Sequence, residues 1–171
     1  NFFKRIIYGL FFEKRWRVAI LENKLNFNGV EVISQGSLKE VPVVSSYSDY
    51  ADPFFSIDGK LLRLEAISKK SCLGDILEVN LKDMNKQHVI ITDKGKHYSY
   101  PFVFFYQGKE FIMPEVSSHS SQYIVSLDSN KESPIFLKGF ENKKIVDATL
   151  YQKDGWWYLF FGFKKNSHNV L

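Results

Sequence analysis

A single cysteine, Cys72, in 171 residues leaves nothing to pair with in an internal disulfide and no thiolate pair at zinc-ligand spacing. It fits a reducing, cytoplasmic setting. No apolar run approaches the ~20 residues that a membrane-spanning helix needs, so no membrane span is expected. The four histidines, His88, His97, His119 and His168, are scattered without metal-ligand spacing. No glycine-rich phosphate loop is found, which removes the usual nucleotide-binding motifs. No serine or cysteine nucleophile motif and no nucleic-acid module stand out either.

What is present is the composition of a folded domain. Hydrophobic residues make up 44%, charged residues 25% and aromatics 16%, with sixteen phenylalanines. That is enough for one domain with a real core. The net charge of +4 is carried by residues 1–24, where Lys4, Arg5, Lys14, Arg15, Arg17 and Lys24 outweigh Glu13 and Glu22. The rest of the chain is balanced, so its body is not a basic nucleic-acid surface. The chain opens on Asn1 rather than methionine, which reads as the continuation of something upstream or as processing. In "NFFKRIIYGLFF" the apolar residues fall at helical spacing. Residues 1–14 are therefore expected to form an amphipathic helix or linker, packed on this domain or a preceding one. A membrane-surface helix with Lys4 and Arg5 at its polar edge is the alternative.

After this the pattern changes to period two. "RWRVAIL" sets Trp16, Val18 and Ile20 on one face and Arg15 and Arg17 on the other, as a half-buried strand does. "GVEVISQG" reads as another strand, and "NLKDMNK" gives the only later hint of a helical turn. Three segments then align: "ADPFFSIDGKLLRLEA" (51–66), "SYPFVFFYQGKEFIMPE" (99–115) and "VDATLYQKDGWWYLFFG" (146–162). Each has a polar opening, an aromatic run, an x-Gly turn and a second apolar run. The openings Asp52, Tyr100 and Asp147 lie 48 and 47 residues apart. A strand-and-turn repeat of this period predicts an all-β chain of propeller-like blades over 15–171. Three to four blades in this chain leave a five-bladed ring incomplete, and the exposed sheet faces invite self-association.

Two-residue loops at Asp58–Gly59, Gln107–Gly108 and Asp154–Gly155 would set Asp52 opposite Glu65, Tyr100 opposite Glu115 and Asp147 opposite Gly162. The polar ends of the three hairpins are then expected to converge on one mouth. Opposed carboxylates repel unless a ligand, a cation or a shared proton compensates. Such a mouth could hold sugar hydroxyls, with Glu65 among the acceptors and Tyr98, Tyr100, Trp156 or Trp157 as stacking platforms. His97 and His119 would lie at its rim. No organic cofactor is implied, and Ca²⁺ is the cation an oxygen-rich mouth would take.

"ADPF", "YPFVF" and "MPE" carry a resemblance to the five-bladed propellers of glycoside hydrolase family 43. Within that type the chain is most similar to the N-terminal propeller domain of plant glucosamine inositolphosphorylceramide transferases and of bacterial polysaccharide-biosynthesis proteins. The resemblance implies carbohydrate recognition in polysaccharide or glycolipid assembly, with a carbohydrate or glycolipid as partner and a transferase domain on the same polypeptide. In the hydrolases it resembles, an Asp opening the first blade activates water, one opening the second tunes the acid, and a Glu opening the third donates the proton. Asp52 matches the first position, whereas Tyr100 and Asp147 depart from the second and third. An inverting hydrolase would therefore rest on Asp52 as base with Glu115 or Asp147 as acid. With two of three positions changed, binding is the preferred expectation.

Overall fold

The computed structural model describes residues 14–21, 38–116, 121–127, 134–141, 143–165 and 168–170. The amphipathic segment at 1–13, the "GVEVISQG" strand and His119 lie outside them. The described residues are all β, with no helix and four antiparallel sheets, none closed into a barrel. No helix among them is long and apolar enough to cross a membrane.

The chain divides into two compact units, residues 1–41 and 42–171. In the first, β1 (Ala19–Leu21) pairs antiparallel with β2 (Leu38–Glu40). The Val41 amide donates to the Val18 carbonyl at 2.9 Å, and Arg17 Nε lies 3.4 Å from Glu40 Oε1. Val18 is buried, but Trp16 is exposed, with Lys14 Nζ 4.4 Å from its ring centroid. The strand starts later than the alternation suggested, and Trp16 is left outside it.

The second unit holds three sheets, each a meander of neighbours in sequence. The first runs β3 (Tyr47–Phe55), β4 (Leu61–Ser68), β5 (Gly74–Asn80) and β6 (Gln87–Ile91). The second runs β7 (Ser99–Tyr106), β8 (Lys109–Glu115), β9 (Tyr123–Ser126) and β10 (Ile135–Phe136). The third runs β11 (Ile145–Lys153), β12 (Trp156–Lys165) and β13 (His168–Val170). Strand β7 packs against β3 and β4, and β11 against β7 and β8. Ile76, Tyr98, Ile112, Val116 and Tyr123 fill the layer between the first two sheets. Met113, Ile145 and Ala148, with Phe102, Phe104 and Phe161, fill the next. In β8 of the second sheet, Ile112 thus faces the first sheet and the adjacent Met113 the third.

The connection "NLKDMNK" is a turn rather than a helix. Asn80 Oδ1 accepts from the amides of Lys82 and Asp83 at 2.9 and 3.3 Å, a side-chain cap that competes with helical bonding. Gln107 and Gly108 both have positive φ (48° and 79°), as do Asp154 and Gly155 (51° and 79°), the requirement of a two-residue type I′ turn. The first hairpin differs. Only Gly59 has positive φ there, and the Ser56 amide donates to the Leu61 carbonyl at 2.9 Å, so its loop has four residues, Ile57–Lys60.

Candidate functional site

The register near each turn is the one expected, but each first strand slips by one residue further on. Phe54 pairs with Arg63 while Ala51 pairs with Glu65; Phe102 pairs with Met113 while Ser99 pairs with Glu115. Likewise Thr149 pairs with Phe160 while Val146 pairs with Gly162. Asp52, Tyr100 and Asp147 therefore do not sit opposite Glu65, Glu115 and Gly162. Each is the first residue of a β-bulge, with φ of 48°, 43° and 51°. The left-handed conformation costs a non-glycine residue roughly 1–2 kcal/mol. Asp tolerates it through its short polar side chain, whereas a tyrosine there is strained. Pro53 and Pro101 follow the first two, and both lie in bulges of edge strands, where a missing N–H leaves no ladder bond broken. Three equivalent positions, one in each sheet, thus share one local geometry that re-aims the side chain.

The bulges bring four carboxyl-bearing residues from three sheets together. Asp52 hydrogen-bonds the buried Glu65 side chain. Burial, the neighbouring Asp52 and, more weakly, Glu115 push the Glu65 carboxyl up to about 8. At neutral pH the Asp52–Glu65 pair therefore holds a proton, which removes the repulsion between them. Glu115 Oε2 accepts the backbone N–H of Asp147 at 3.2 Å. The Tyr100 hydroxyl shares a 2.9 Å hydrogen bond with Thr149 Oγ1, and its ring meets Phe54 edge-on at 5.1 Å. Tyr100 so ties the first strands of all three sheets.

His97 backs this cluster. Its Nδ1 accepts the Gly74 amide at 2.8 Å, which leaves the proton of the neutral ring on Nε2, 3.5 Å from Glu65 Oε1. Gly74 itself escaped the reading of the sequence. A Cβ there would lie 2.2 Å from the Tyr98 carbonyl oxygen, 2.8 Å from Glu65 Oε1 and 3.1 Å from His97 Cε1. Only glycine lets these three groups meet. Gly74→Ala is expected to cost about 2–3 kcal/mol, read from the urea midpoint. An unchanged midpoint would show that the cluster is looser than described.

Two expected stacking platforms stand elsewhere. Tyr98 is buried in the layer between the first two sheets, and its hydroxyl bonds Tyr123, whose own phenol is raised by burial. Trp156 pairs with Lys153 beside the Asp154–Gly155 turn, at the opposite end of the hairpin from Asp147, and is 71% exposed. Six residues of strand at about 3.3 Å each separate the two ends, so Trp156 does not share the carboxyl cluster. Trp157 packs edge-on against Phe104 and Tyr106. No group of three His, Cys, Asp or Glu among the described residues is arranged to hold a metal ion. A Ca²⁺ at the Asp52–Glu65 pair would have to displace the proton the two carboxyls share.

Residues 28–170 match the family described as glucosamine inositolphosphorylceramide transferase 1, N-terminal. Glucosamine inositolphosphorylceramide transferase 1 of Oryza sativa subsp. indica is 30% identical, over 68% of this chain and 17% of the relative. The protein of that name from Arabidopsis thaliana is 31% identical over the same shares. The chain thus spans 17% of the length of the curated relatives it matches, and the match falls on their N-terminal domain family. The chain belongs to the family of glucosamine inositolphosphorylceramide transferase 1 N-terminal domains.

Proposed function

We propose that this domain recognises the carbohydrate headgroup of a glycolipid or polysaccharide intermediate at the Asp52–Glu65–Glu115 cluster. In this reading it serves a transferase carried on a longer polypeptide, without cleaving the sugar. The three sheets are successive blades of a propeller-like fold related to glycoside hydrolase family 43. Their repeated meander order and their shared bulge support that reading.

The observation that carries the choice of binding over cleavage is the direct hydrogen bond between Asp52 and Glu65. An inverting hydrolase on this chain would need Asp52 free to take a proton from water, with Glu115 or Asp147 as acid, whereas Asp52 is already engaged by the protonated Glu65. A proton-sharing pair in contact offers instead a donor and acceptors side by side, the complement of a sugar hydroxyl. Tyr100, bonded to Thr149 and packed on Phe54, stands where those hydrolases carry a second carboxylate. The relatives' name, with its glucosamine and inositolphosphorylceramide parts, supports a glycolipid headgroup as the ligand.

Incubation with aryl glycosides and oligosaccharides tests the choice. The account expects no release above the level of Asp52→Asn. Turnover that disappears in both Asp52→Asn and Glu115→Gln would instead identify a hydrolase with Asp52 as base.

A further inference from the structure

The imidazole of His97 is held from behind by main chain. A turn over Asp93–Lys96, closed by the Lys96 amide on the Asp93 carbonyl at 3.1 Å, delivers it to the start of β5. There Gly74 spends both of its backbone groups on consecutive residues. Its carbonyl accepts the Tyr98 amide at 2.9 Å, and its amide donates to His97 Nδ1 at 2.8 Å. A ring nitrogen that accepts does not also carry a proton, so the neutral ring is fixed in the tautomer whose donor is Nε2. The bare Cα of Gly74 lets that ring and Glu65 Oε1 come side by side, with Nε2 3.5 Å from Oε1.

This arrangement gives the Asp52–Glu65 hydrogen bond a direction. The Glu65 oxygen that faces an N–H serves as an acceptor, so the acid proton belongs on the other oxygen, toward Asp52. Donors then run one way, from Gly74 through His97 and Glu65 to Asp52. A carboxylate at the end of such a chain has only acceptors left to offer. A hydroxyl or ammonium complements it, whereas a phosphate brings a like charge and no donor.

We propose that His97 is the positioning residue of this site: it fixes the direction of the Asp52–Glu65 hydrogen bond, so that Asp52 receives the hydrogen-donating groups of a sugar ring and not the phosphate of a headgroup. The ligand half of this assignment rests on the sugar reading above; the proton arrangement stands without it.

Proton–nitrogen correlation spectra of the full-length protein, labelled at histidine and assigned with His97→Gln, test the proton arrangement. His97 is expected as the Nε2–H tautomer near neutral pH. An Nδ1–H tautomer, a mixture of the two or a charged ring would overturn the proposal. Calorimetric titration with inositol-linked glucosamine, with and without its phosphate, tests the ligand half. His97→Leu is expected to weaken binding of both sugars about tenfold, the worth of one hydrogen bond. His97→Gln, whose side-chain N–H reaches toward the same Glu65 oxygen, is expected to recover most of that loss. Equal losses in the two variants would reduce His97 to a structural part and overturn the proposal, as would displacement of the phosphate-free sugar by inorganic phosphate. Binding of neither sugar by the parent would overturn the ligand half together with the sugar reading, and the spectrum alone would then decide the proton arrangement.

Discussion

Arg63→Ala is expected to cost about 3–5 kcal/mol, the penalty for removing one partner of a buried ion group. The Arg63 guanidinium is buried between the first two sheets, with Nη2 2.9 Å from Glu78 Oε2 and 2.7 Å from Glu110 Oε2. Glu110 Oε1 also accepts the Ile57 amide at 2.7 Å, so this carboxylate fastens the loop of one sheet to a strand of the next. Without the guanidinium, two carboxylates would face each other where water is scarce. For a chain of this size the loss corresponds to roughly 10 °C or more in melting temperature. Arg63 Nε and Nη1 have no protein hydrogen-bond partner among the described residues, so the group is held for its geometry and is not fully satisfied. The triple change Arg63→Met, Glu78→Gln and Glu110→Gln should therefore recover much of the loss. A single Arg63→Ala variant within 1 kcal/mol of the parent would contradict this picture of the interface.

The second large effect is on pH. Glu65 has its ordinary carboxyl value of 4.5 when unfolded and about 8 in the fold. Between those values the folded chain holds a proton that the unfolded chain has released. Stability from this group is therefore complete below about pH 4.5 and declines as pH rises through about 8. The slope is at most roughly 1.4 kcal/mol per pH unit. Glu65→Gln removes the titrating group but keeps an uncharged side chain of the same length beside Asp52. Denaturant midpoints are expected to fall from pH 5 to about 8 and then level off for the parent, and to stay flatter for Glu65→Gln, with the variant the more stable at pH 8–9. Parallel profiles would mean that Glu65 is ionised in the fold. Asp52, Glu115 and His97 face this carboxyl from the surrounding strands and loop, so Asp52→Asn should also lessen the decline by removing the main opposing charge.

The three hairpins could be read from sequence because two of their turns obey a strong local rule and the longer Ile57–Lys60 loop keeps the same register. Gln107–Gly108 and Asp154–Gly155 both adopt the left-handed pair that x-Gly favours, and the register beside them follows. The bulges could not be read. Nothing in Asp, Tyr and Asp as residue types demands a left-handed backbone, and Tyr100 in particular argues against it. A bulge shifts pairing by one residue, which is why Ala51 rather than Asp52 stands opposite Glu65. Asp52 and Glu65 still meet, through their side chains.

The position of Trp156 could not be read for a related reason. "WWYLFF" alternates between two faces, but the sequence alone does not say which tryptophan faces the neighbouring sheet. Pairing places Trp157 inward and leaves Trp156 beside the turn. The support for Glu65 was hidden by distance. Gly74 and His97 are 23 residues apart and join only when β5 and the loop before β7 pack together. An isolated glycine at the start of a strand was the one available sign of a close approach.

Calorimetric titration of the full-length protein with sugars that carry glucosamine and inositol phosphate headgroups tests the central claim most directly. Saturable binding is expected, weakened at least tenfold by Asp52→Asn and unchanged by Trp156→Ala. Binding that survives Asp52→Asn at full strength, or is lost in Trp156→Ala alone, would contradict the assignment of the carboxyl cluster as the sugar site.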